Sequence, residues 1–168
     1  MGTKVKARSA ALHASDPYLW ALSQAEALRA GRLEDLDRLN LAEEVESLAI
    51  ATKSAVRSRT RTVIEHLLKL QHSPPSDPRH GWRRTVRVQR SELRDDLTPT
   101  LRRQLEEDLA DLYRDGRENA ADDLQSHGEP AAADSLPLDC PYSLAQILSD
   151  WLPDAPKARP AAGAARGR

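Results

Sequence analysis

Phenylalanine is missing from the 168 residues, and three tryptophans with three tyrosines supply all the aromatic bulk. The core must therefore come mostly from Leu, Val, Ile and Ala, with Trp20, Trp82, Trp151, Tyr18, Tyr113 and Tyr142 as its large pieces. Cysteine occurs once, as Cys140, which excludes a disulfide within the chain and fits a reducing compartment. No run approaches the roughly 18–20 apolar residues a membrane helix needs. Lys4, Lys6 and Arg8 open the chain, but no apolar run of about 7–15 residues follows them, so no secretory signal is read. A cytoplasmic location is the expectation. The formal net charge of −1 excludes polyanion binding by the molecule as a whole, so any such binding needs a local patch. Alternating β-branched runs, a glycine-rich phosphate loop, a serine elbow and paired cysteines are all lacking. No catalytic residue, metal or cofactor is assigned.

What is present is helix-forming: Leu and Ala among Glu, Arg and Asp. Asp16-Pro17 is a cap followed by proline at the first helical position, and Gly31 is a stop, which predicts a helix over about 17–30. Asn40 with Glu43 has the spacing of a capping box. From there Leu41, Val45, Leu48, Thr52, Val56, Val63, Leu67 and Leu70 keep helical spacing up to Pro74-Pro75. That helix is unusually long, roughly 50 Å at about 1.5 Å per residue. A third helix carries Trp82, Val86, Leu93 and Leu97, and Thr98-Pro99 opens a fourth. A loop of about 18 residues leads to Ser143 and Gln146, a second capping box, with Tyr142 and Ile147 as a hydrophobic staple. The expectation is a single all-α domain over 15–152, an antiparallel bundle of about five helices. Residues 1–14 read as a mobile arm. Residues 153–168, rich in Pro, Ala and Arg, read as a disordered tail.

Several motifs carry a resemblance. They are Leu39-Asn40-Leu41-Ala42-Glu43-Glu44-Val45-Glu46, His66-Leu67-Leu68-Lys69, and Trp82-Arg83-Arg84-Thr85-Val86 with Gln89-Arg90. Thr98-Pro99-Thr100-Leu101-Arg102 and Cys140-Pro141-Tyr142-Ser143-Leu144 follow in order. Together they resemble the bacterial family known as domain of unknown function 29, over roughly residues 16–152. The resemblance implies an all-helical fold and brings no activity with it. Thr98 stands where that family usually has serine, and it preserves the cap.

Two constellations are candidate sites. Glu43, Glu44 and Glu46 form a carboxylate cluster for which His66 would be the natural metal-binding partner. Glu44 and His66, however, are separated by about 33 Å on a straight helix. Only two long helices crossing antiparallel near Ala55, in a homodimer, would bring them together, giving a hydrolytic or metal-dependent site. The plainer reading is that the carboxylates complement the positive helix end. Arg83, Arg87, Arg90 and Arg94 recur at helical spacing beside Trp82, with Arg79 and Arg84 adding to them. That stripe would suit a protein partner or nucleic-acid phosphates, with Trp82 able to stack on a base. An acidic row, Glu107, Asp111, Asp115, Glu118 and Asp122, offers an internal answer. A hairpin turning at Thr98-Pro99 would pair Arg90 with Glu107, Arg87 with Asp111 and Arg83 with Asp115. The functional expectation is a non-enzymatic module that binds itself through the long helix, or another protein, with nucleic acid and a cross-dimer enzyme as alternatives.

Overall fold

The computed structural model describes residues 2–74 and 78–156, with side chains from residue 9 onward. The expectation of an unpatterned arm over 1–14 meets a helix, α1 (Gly2–Ser15). α2 (Pro17–Arg29) begins as the sequence predicts, with the Asp16 carboxylate accepting the Leu19 N–H at 3.0 Å. It ends at Gly31, whose φ of 69° is the left-handed geometry that glycine adopts without strain. Gly31 N–H bonds to Leu28 O and Arg32 N–H to Ala27 O, the paired bonds of a Schellman stop.

After a short 3-10 turn, Leu33–Asp35, the long helix α3 runs unbroken over Arg38–His72. Its start corrects the sequence reading. Asn40 is inside the first turn and donates its side-chain amide to Asp37 Oδ2 at 2.8 Å, so Asn40 and Glu43 form no capping box. Then follow α4 (Arg79–Asp96), α5 (Pro99–Glu107), α6 (Leu109–Ser126), α7 (Pro130–Asp134) and α8 (Leu144–Leu148). The fourth helix expected from the sequence is thus two helices, parted at Asp108, whose carboxylate bonds to Arg57. The long loop contains α7. Ser143 and Gln146 make the capping box at α8 with both of its reciprocal bonds. Residues 153–156 lack regular structure, and the rest of the expected tail lies outside the described residues.

The fold is all-α, and the chain divides into two compact units, Met1–Thr52 and Lys53–Arg168. In the second, α3 supplies the spine of the core. Val56, Val63, Ile64, Leu67, Leu68 and Leu70 are buried with Val86 and Leu93 of α4, Leu105 of α5, and Leu112, Tyr113, Ala120 and Leu124 of α6. Polar contacts fix the helix directions. Arg59 pairs with Glu92 and Asp96 while Lys69 lies over Trp82, so α4 runs antiparallel to α3. Arg57 meets Asp108, just before α6, and Lys69 meets Asp123, so α6 runs in the direction of α3. Gly116 lets α6 approach α3 closely: a Cβ there would stand 3.1 Å from the Arg61 carbonyl oxygen. Tyr113 donates to Pro137 O at 2.6 Å, and Arg117 donates to the same oxygen at 2.9 Å, pinning the segment after α7 onto α6.

Candidate interaction surface

The unit Met1–Thr52 has few apolar side chains inside and many outside. Among its described residues the buried hydrophobics are Trp20, Ala27 and Leu36. The polar interior is better organised. Gln24, also buried, donates its amide to Ser9 Oγ at 3.2 Å and accepts the Asp37 N–H at 2.8 Å, tying α1, α2 and the start of α3 together. His13 packs edge-on against Trp20 with ring centroids 4.5 Å apart. Its Nε2 lies 2.9 Å from Glu44 Oε1. Arg32 is neutralised by Glu26 and Asp35.

Outside that small interior stand Tyr18, Leu19, Leu22 and Leu28 of α2, Leu33, and Leu39, Val45, Leu48 and Ile50 of α3. Each is more than half exposed. They are nine of the twelve large hydrophobics exposed among the described residues. On α3 they form two rows: Val45 and Leu48 continue the stripe of Leu41, whereas Leu39 and Ile50 fall on the opposite side at helical angles. A single bare leucine is ordinary on a protein surface, but a concentration of this kind marks an interaction site.

The sequence-predicted site residues fall into place one by one. Glu44 belongs to the His13 pair, while Glu43 and Glu46 are exposed and have no ion-pair partner among the described residues. His66 lies in the other unit, its Nδ1 3.3 Å from Glu65 Oε1. No cluster of three or more His, Cys, Asp or Glu suited to a metal occurs among the described residues. The dimer crossing near Ala55 would need the α3 stripe free beyond Val56, and there it is sealed in the core.

The arginine stripe also departs from expectation. Among the described residues Arg83, Arg87 and Arg90 form no ion pair with Glu107, Asp111 or Asp115, because α4 and α6 each pack on α3 and their charged rows do not meet. Asp111 and Asp115 pair with Arg114 of their own helix. Arg90 is buried and donates to the Ile147 and Gln146 carbonyls, both at 2.8 Å, closing the C-terminal end of α8. Arg94 approaches Asp150 at 3.6 Å. Arg79 plays the corresponding part for α3, donating to Leu70 O and Ser73 O. Trp82 is half-buried against the core, with the Lys69 ammonium 5.5 Å from its ring centroid. Arg83, Arg84 and Arg87 remain exposed.

The stretch over residues 12–152 matches the family model described as Domain of unknown function DUF29. The chain belongs to that family. No curated protein and no solved structure matches it. The family's description assigns no chemistry, so the geometry alone carries a functional reading.

Sequence reasoning missed one polar group in the second unit. The ammonium of Lys69, only 3 % exposed, bonds to Glu65 at 2.8 Å and Asp123 at 2.6 Å. Burial would raise the Glu65 carboxyl, but its contacts with His66 and Lys69 outweigh that and hold it at about 2. Glu65 stands at i,i+4 spacing from Lys69 on α3, whereas Asp123 reaches it from α6. Burial pushes the Cys140 thiol up, and it donates to Tyr142 O at 3.3 Å, the setting of a packing residue and not of a thiolate nucleophile. No helix among the described residues is long and apolar enough to cross a membrane.

Proposed function

We propose that this protein is a self-associating, non-enzymatic module, and that the apolar surface of Met1–Thr52 is its contact with a second copy. One observation carries the reading: among its described residues this unit buries three hydrophobic side chains and exposes nine large ones. Units of about 50 residues are marginal even when they keep all their apolar side chains for a core. Covering a large apolar side chain is worth about 1.5–3 kcal/mol, so several covered together outweigh the cost of association. The cover has to be present whenever the chain is, and a second copy of the chain meets that condition. Obligate interfaces between copies are more hydrophobic than transient ones, which matches two rows of Leu, Ile and Val on α3. A partner of different sequence would suit a smaller, more polar patch.

The test is sedimentation of the full chain over a wide concentration range, beside a Val45→Glu/Leu48→Glu double variant. Both side chains are exposed, at 65 % and 69 %, so the changes spare the buried residues of either unit. The expected result is a dimer or higher closed assembly for the native chain and a dissociation constant raised by roughly a hundredfold or more in the variant. A monomer at all concentrations for the native chain would overturn the proposal.

A further inference from the structure

We infer that a groove on the second unit, formed by α4 and the segment after α8, binds a small phosphate monoester that carries an apolar group. The groove has a volume of about 310 Å³ and is lined by Arg83, Val86, Arg87, Arg90, Asp150 and Leu152. That size is at the lower end of small-molecule sites. Three guanidinium groups against one carboxylate leave an excess of two positive charges in the lining. A phosphate monoester carries about −1.5 to −2 near neutral pH and matches that excess better than a single carboxylate does.

The arrangement of the three arginines supports the same ligand. Arg90 is buried, and two of its N–H bonds are committed to the Gln146 and Ile147 carbonyls. This fixes the guanidinium plane, and its charge has no carboxylate in ion-pair contact among the described residues. Arg83 and Arg87 are four apart on α4, so they rise as neighbours from one face of the helix. Paired guanidinium forks of this kind grip phosphate oxygens bidentately. The one acid of the lining, Asp150, has a 95 % exposed side chain and leans toward Arg94. Val86 and Leu152 supply apolar wall, which free phosphate would leave unused. A nucleic-acid strand would instead need an extended basic track, and Arg90 and Leu152 set the charge in a hollow. The inference does not depend on how the first unit associates.

Calorimetric titration of the full chain at low salt with phenyl phosphate tests it, with inorganic phosphate as the apolar-free control. Vesicles of phosphatidylcholine containing phosphatidic acid form a second arm, which separates a lipid-borne monoester from a soluble one. Saturable binding of phenyl phosphate or of the phosphatidic acid vesicles is expected, weakened by roughly tenfold or more in Arg83→Gln/Arg87→Gln. Leu152→Ser should weaken phenyl phosphate severalfold and leave inorganic phosphate unchanged. A thermal melt unchanged from the native chain confirms that the variants fold. Absence of saturable binding in both arms, or binding indifferent to the arginine substitutions, would overturn the inference. So would a single-stranded oligonucleotide that binds more tightly than phenyl phosphate and displaces it.

Discussion

Between Val56 and Leu70 the apolar stripe of α3 is sealed by α4, α5 and α6; over Val45 and Leu48 the same row, on the same helix, is bare. Residue type does not distinguish the two stretches, since Leu and Val recur at helical spacing in both. What differs is supply. Among the described residues, the unit Lys53–Arg168 buries eighteen hydrophobic residues, six of them on this stretch, whereas Met1–Thr52 buries three. Periodicity therefore specifies a face that needs covering, and the number of further elements in the same unit decides whether the chain covers it.

Truncating each stretch separately should expose that difference most strongly. Leu67→Ala removes a fully buried side chain and is expected to cost about 2–5 kcal/mol in urea unfolding. Leu48→Ala removes one that is 69 % exposed and should cost less than about 1 kcal/mol at concentrations where the chain is dissociated. Equal losses at the two positions would mean that the two halves of the stripe are equally covered.

A smaller effect concerns the charges on the sealed stretch. The Glu65 carboxyl sits at about 2 in the folded chain, below its ordinary value of 4.5. A lowered acid stabilises the fold fully above the ordinary value, and that contribution is lost as pH falls through the folded one. The stability gap between the native chain and Glu65→Gln, read by urea unfolding, should thus be wide at about pH 6 and narrower at about pH 3. A gap that is constant across this window would show that the contacts of Glu65 with Lys69 and His66 do not depend on its charge.

The local punctuation of the helices was legible in the sequence, whereas the division at Thr52 was not. The caps at Asp16, Thr98 and Ser143 and the stop at Gly31 are local devices, each set by a side chain or glycine within a few residues of its target. The helix length of α3 and the family followed from patterns along the chain. What escaped depends on groups distant in sequence. Asp37 and Asn40 are both cap formers; Gln24, from α2, takes the Asp37 N–H at 2.8 Å, and α3 starts before Asn40. The arginine and aspartate rows of α4 and α6 look complementary on paper, but α3 claims both helices through Arg59 and Lys69. Arg90 appeared as one member of a stripe because nothing local reveals that the end of α8 needs its N–H groups. The candidate surface was half visible: the stripe could be read, its bareness could not.

The most direct test of an apolar unit completed by a second copy is amide hydrogen exchange followed by mass spectrometry as a function of protein concentration. The account predicts that protection of α2 and the first half of α3 rises with concentration, while the buried stretch of α3 from Val56 to Leu70 stays equally protected throughout. Protection of α2 and the first half of α3 that is high and independent of concentration, down to conditions where the chain sediments as a monomer, would contradict it.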